Sequence, residues 1–244
     1  MHKETIIKLS KKPNHINEFL THWTGRNRED SIAFDNLSKI VDSGELKFSS
    51  HKISFPSSTY TISGQMICFT DTPVKQSIDH CNRYNYFGVS FNKAELIEYG
   101  ANPVLYLVDN RQKHQDIVQD IRPFENEKRS LVSWVSSILQ PYDSKQFAND
   151  NWAEFYEREW RIVRILPYPW INTAEKFQGP FNEYSFKGNI RIVNKNTKPG
   201  DEEFFLAFDK KIIENIIVPL NYKDRGRDLI KRNNLQCELI IIDK

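Results

Sequence analysis

The chain has 244 residues and a formal net charge of +2, long enough for one large domain with a sizeable core. The near balance of 34 basic and 32 acidic side chains excludes a globally basic nucleic-acid binder. The three scattered cysteines, Cys68, Cys81 and Cys237, exclude a disulfide framework and a zinc knuckle. No apolar run approaches the roughly 18 residues of a membrane helix. Residues 1–12 are charged and lack the apolar core of a secretory signal, so a cytoplasmic protein with no membrane contact is expected. With 16 Phe, 10 Tyr and 5 Trp in a chain that is only 39% hydrophobic, aromatic side chains must do much of the core packing.

Residues 4–9 form a short lead-in containing apolar positions. Residues 17–24 read as a strand that ends in His22-Trp23-Thr24, and a charged loop, 25–30, follows. Ile32, Phe34, Leu37, Ile40 and Val41 recur at helical spacing over 31–43, with Gly44 as the stop and a short strand at 45–48. Residues 49–64 are rich in Ser, Thr and Pro and read as an exposed loop. A buried-type strand at 65–70 runs into Asp71-Thr72-Pro73. A helix is predicted at 74–82, a strand at 84–91 opening with Tyr84, Tyr86 and Phe87, a helix at 93–99 stopped by Gly100, and a strand at 103–108.

Residues 109–150 have helical apolar spacing around Ile117, Ile121 and 131–139, which predicts a central helical insertion. A strand bounded by Pro167 begins near Glu157 or Glu159. Residues two apart on a strand share a face, so Glu157, Glu159 and Arg161 are expected to project together. Beyond a polar loop at 169–189 come strands at 190–193 and 204–208, then a strand, helix and strand at 216–219, 223–233 and 238–242. Short strands interrupted by helices predict a single α+β domain over 1–244 with a mainly antiparallel sheet.

The standard phosphate grips are missing: no G-x-G and no P-loop pattern occurs among the nine glycines. There is no H-E-x-x-H, and His80-Cys81 are adjacent rather than at ligand spacing, so no metal site is expected. There is no G-x-S-x-G elbow. A nuclease core of the D-x(n)-E-x-K kind fails because residue 159 is Glu where the pattern needs Lys. His22, Trp23 and Thr24 at a strand end, the Tyr84–Tyr86 aromatics and Glu159 remain. Each alone is compatible with packing or with a solvated face.

Taken together, the blocks His22-Trp23-Thr24, Cys68-Phe69-Thr70-Asp71-Thr72-Pro73, His80 with Tyr84, Phe87-Gly88-Val89-Ser90-Phe91, Pro103-Val104-Leu105-Tyr106 and Glu159-Trp160-Arg161-Ile162 resemble the abortive-infection AbiGi-like family of bacterial phage-resistance proteins. Its members are often described as antitoxins. The order of the blocks is also similar to the layout of the ADP-ribosyltransferase superfamily. That second resemblance implies a split, mainly antiparallel sheet and NAD as substrate, with no metal. Glu159 would stabilise an oxocarbenium-like ribose, and Glu157 would orient the acceptor. His22, Trp23, Thr24, Phe69 and Thr70 would hold the cofactor, Tyr84 or Tyr86 would stack on nicotinamide, and Arg83 and Arg161 would meet substrate phosphate or, for Arg161, pair with the acids. The chain departs from that layout in having no Ser-Thr-Ser block.

Two functions follow from these resemblances. One is an NAD-dependent ADP-ribosyltransferase toxin of anti-phage defence, acting on a nucleic-acid acceptor (RNA before DNA) and accompanied by a cognate antitoxin. A basic groove for that acceptor would draw on Arg26, Arg28, Arg83, Lys187, Arg191, Lys195, Lys198, Arg225, Arg227, Lys231 and Arg232, with Phe181, Tyr184 and Phe186 stacking unpaired bases. The alternative is a non-enzymatic antitoxin or binding module that keeps the same cleft for a partner.

Overall fold

A computed structural model describes residues 3–9, 17–54, 61–108, 139–142, 158–164, 189–194 and 202–243. Their strands are β1 (Glu4–Lys8), β2 (Phe19–Thr24), β3 (Glu45–Lys47), β4 (Ser49–Ser54), β5 (Thr61–Thr70), β6 (Phe87–Asn92), β7 (Ala101–Pro103), β8 (Leu105–Val108), β9 (Leu139–Tyr142), β10 (Glu159–Arg164), β11 (Ile190–Asn194), β12 (Glu202–Ala207), β13 (Ile213–Pro219) and β14 (Glu238–Asp243). The helices are α1 (Asp30–Ser43), α2 (Ile78–Tyr84), α3 (Lys93–Glu98) and α4 (Lys223–Arg232).

Nine strands form the main sheet in the order β1-β14-β13-β6-β2-β5-β10-β7, with β4 paired to β5. Its only parallel pairings are those of β14 with β1 and β13. A second sheet has the order β11-β12-β3, and β8 pairs with β9. The expected α+β class with a mainly antiparallel sheet is what the chain adopts.

Residue pattern explains the layering. β13 and β6 are buried along nearly their whole length, as the central strands of a sheet covered on both faces must be. On one face lies the larger core, where Leu20, Phe34, Phe87, Phe91, Ile216 and Leu239 pack beneath α1 and α4. Helix α1 turns Ala33, Phe34, Leu37 and Val41 inward and ends at Gly44, whose φ of 68° is the left-handed cap a glycine reaches at least cost. Helix α4 joins the parallel strands β13 and β14, and Gly226 lets it lie close. A Cβ there would sit 2.9 Å from Leu239 Cδ1. The opposite face carries a smaller cluster of Trp23, Val74, Cys81, Ile217 and Ile242 under α2.

Several elements differ from expectation. Within the predicted 49–64 loop, residues 49–54 and 61–64 are instead paired strands, with β4 running antiparallel to β5 from Ser49↔Met66 to Ser54↔Thr61. Cross-strand pairing overrides a composition of poor strand formers, because strand preference is largely a property of context. The 74–82 helix is a 3-10 turn, Val74–Gln76, followed by α2. As a result Tyr84 ends a helix and Tyr86 lies in the connection, where both were expected at a strand start. The 103–108 strand divides, because β7 pairs with β10 and β8 pairs with β9. Leu139, placed in a helix by spacing, begins β9. Residues 109–138 and 143–150 of the insertion, the 169–188 loop and Glu157 lie outside the described residues.

Phe87 is fully buried and touches the rings of Phe34 and Tyr222 at centroid distances of 6.0 Å and 4.8 Å. Phe87→Ala is expected to cost about 3–5 kcal/mol. Urea denaturation will read this as a lower midpoint with an unchanged slope.

Candidate functional site

A cleft of about 570 Å³ opens where the main sheet parts, a volume within the range of small-ligand sites. Strand β5 pairs with β10 along one edge, Thr70↔Glu159 to Gln65↔Arg164. Along its other edge β4 pairs only as far as Met66, and β2 touches only at Thr70↔Thr21. Between those two pairings β2 and β4 diverge, and residues 67–69 of β5 face the gap.

His22 closes part of it. Its Nδ1 lies 2.8 Å from the Cys68 carbonyl oxygen. A carbonyl can only accept, so Nδ1 carries the proton and donates. Burial disfavours the charged ring and lowers its pKa below the ordinary value, while the bond to Cys68 pulls weakly the other way. A neutral ring protonated on Nδ1 leaves Nε2 as an acceptor at the cleft wall. The ring also meets Phe69 edge-on at 5.8 Å.

Strand alternation puts His22 and Glu159 on opposite faces. The register Thr21↔Thr70↔Glu159 places those three side chains in one row, so His22 and Phe69 belong to the other side. Glu159 is joined to Arg161 by two hydrogen bonds, Nε to Oε1 and Nη2 to Oε2, each of 2.8 Å. Arg161 is 5% exposed and Glu159 14%, so this is a buried, bidentate ion pair. The start of β10 is braced from outside the cleft. The Asp71 carboxylate accepts from Lys93 Nζ at 2.8 Å and from the Asn17 N–H at 3.2 Å. The Asp71 N–H donates to the carbonyl of Arg158, which holds the left-handed φ of 41°.

On the Glu159 face, β2 and α2 together contribute a staggered run of rings: Trp23 to His80 at 6.5 Å, then His80 to Tyr84 at 6.4 Å. The guanidinium carbons of Arg26 and Arg83 lie 5.5 Å and 5.7 Å from the centroid of Tyr84. Gly25, at φ 100°, permits the turn that presents Arg26, since a Cβ there would meet Ala33 Cβ at 2.3 Å.

Of the residues expected at a site, His22, Trp23, Thr24, Phe69, Thr70, Arg83, Tyr84, Glu159 and Arg161 all line this cleft. Some have internal commitments. The Thr24 hydroxyl is 3.0 Å and 3.3 Å from the carbonyls of Ala33 and Phe87, to which it donates, and Phe69 is a core ring packed on Phe91. Tyr86 does not line the cleft; it packs on the smaller cluster, and its hydroxyl donates to Asn82. Glu157 lies outside the described residues. Sequence reasoning missed the wall formed by α1, where Asn36, Lys39, Ile40 and Ser43 face the cleft. Their helical spacing on the side away from Phe34 and Leu37 was the available signal. Among the described residues no group of three His, Cys, Asp or Glu side chains gathers as a metal site. No helix among them is long and apolar enough to cross a membrane.

Removing one member of a buried ion pair leaves an uncompensated charge. Arg161→Met alone is expected to cost about 3–5 kcal/mol, and the double variant Glu159→Leu/Arg161→Met to recover most of it. A double-mutant cycle by chemical denaturation will measure this. For His22, the folded ring binds a proton less readily than the unfolded one. Its contribution is therefore full above the ordinary pKa of about 6.5 and falls as pH drops below it. His22→Gln is expected to flatten the acid limb of a plot of Tm against pH.

Residues 47–219 match the family described as "Putative abortive phage resistance protein AbiGi, antitoxin". Neither the curated proteins nor the solved structures contain a match to the chain. The antitoxin description overturns the expectation of an NAD-dependent ADP-ribosyltransferase toxin. With the match covering most of its length, the chain belongs to the AbiGi family of abortive phage resistance proteins.

Proposed function

We propose that this protein is a non-enzymatic antitoxin of an abortive-infection system, which restrains a cognate toxin by binding it. The observation that carries this is the family match over residues 47–219 and its description as an antitoxin. Two features of the cleft support a binding role. Its acidic residue Glu159 is neutralised at close range by Arg161, so the pair offers a rigid surface rather than a carboxylate able to follow charge developing in a reaction. His22 is anchored through Nδ1 to the β5 backbone, which fixes a neutral ring at the wall.

Co-expression with the cognate toxin tests the assignment. The protein is expected to restore host growth and to co-purify with the toxin as a stable complex. Purified protein is expected to release no nicotinamide from NAD and to keep its Tm when NAD is added. Failure to relieve toxicity, or nicotinamide release that disappears in Glu159→Gln, would overturn it.

A further inference from the structure

We infer that the partner is held at the mouth of this cleft through an acidic segment of its own, an inference that rests on the antitoxin function proposed above. The charges lining the cleft are unequal: Arg26, Lys39, Lys47, Arg83 and Arg161 against Glu45 and Glu159. Glu159 is matched by Arg161. Glu45 is held by Arg191, whose Nε lies 2.6 Å away, and Lys47 pairs with Glu203. Exposed at the mouth stand Arg26, from the turn after β2, and Lys39, from α1, with Arg83 of α2 beside them. Among the described residues no carboxylate pairs with Arg26 or Lys39, and both side chains are exposed.

Helix α1 sorts its charges in a way that sharpens this imbalance. Asp42 is 2.9 Å from Arg232 Nε and also binds Lys210 through its backbone carbonyl, while Asp35 is 3.7 Å from Arg225. Asp35 and Asp42 therefore face α4, Asp30 accepts from the Asn85 side-chain amide at 3.1 Å, and Lys39 is left on the cleft side. The Arg26 and Arg83 guanidiniums flank one ring, Tyr84, which limits their rotamers before any partner arrives. Carboxylates on a partner surface would meet an ordered, net positive rim, the arrangement that raises association rate and selects against basic partners.

The test is the affinity of the purified protein for its cognate toxin, measured by titration calorimetry at about 50 mM and about 300 mM salt. It compares wild type, Arg26→Glu/Lys39→Glu and, as a charge control outside the cleft, Lys231→Glu. The expected result is a loss of about tenfold or more in the double variant, a weaker complex at high salt for wild type, and little change in the control. Because Arg26 and Lys39 are exposed, the double variant should keep the wild-type circular dichroism spectrum and Tm. Arg26→Ala/Lys39→Ala supplies a milder second comparison. Equal binding by wild type and both double variants, with a shallow salt dependence, would overturn the inference and leave the antitoxin function standing. Displacement of no toxin but tight binding of inorganic pyrophosphate at the same rim would also overturn it, in favour of a small-anion site. Absence of any wild-type complex would overturn the antitoxin function itself, and the inference with it.

Discussion

Strand β5 cannot keep both β2 and β4 along one edge once those two strands point apart, and the cleft is the space left between them. The divergence leaves a short stretch of β5 without a strand partner on that side. An unsatisfied buried carbonyl is costly, and His22 supplies the missing donor from its ring. A single side-chain hydrogen bond thus stands in for a rung of the ladder. It also fixes which imidazole nitrogen is protonated, while burial of the ring, against the pull of that bond, favours its neutral form.

The same sheet geometry separates groups that look adjacent in sequence logic. Glu159 and Arg161, two apart on β10, do share a face, and their proximity allows the bidentate pair that buries both charges. His22 falls on the opposite face by the period-two rule. The two residues therefore approach the cleft from different sides of the sheet. Around them, α1 and α2 add further walls, while α4 draws Asp35 and Asp42 of α1 into ion pairs of its own.

The antitoxin role proposed above suits a stable cleft whose Glu159 and Glu45 are each held by an arginine. A transferase needs a carboxylate whose hold strengthens as positive charge appears on the sugar. A binding module needs fixed surfaces that lose little freedom on contact. Short-range ion pairs, a hydrogen-bonded histidine and guanidiniums lodged against an aromatic ring all serve the second requirement.

Local sequence determined a good deal. The helical spacing of Phe34, Leu37 and Val41, the glycine stop at Gly44, the β-branched run of β13 and the final strand, helix and strand were all legible, because each is set by neighbours a few residues away. The gathering of His22, Arg83, Tyr84 and Glu159 about one opening was also anticipated, although by resemblance rather than by spacing. Only tertiary structure decided the rest. It made strands of the Ser- and Thr-rich 49–54 segment and of 61–64 through mutual pairing. It ended α2 at Tyr84, and it set His22 across the sheet from Glu159. Each of these depends on partners distant in the chain, and a pairing register between such partners is a property that no local window of residues contains.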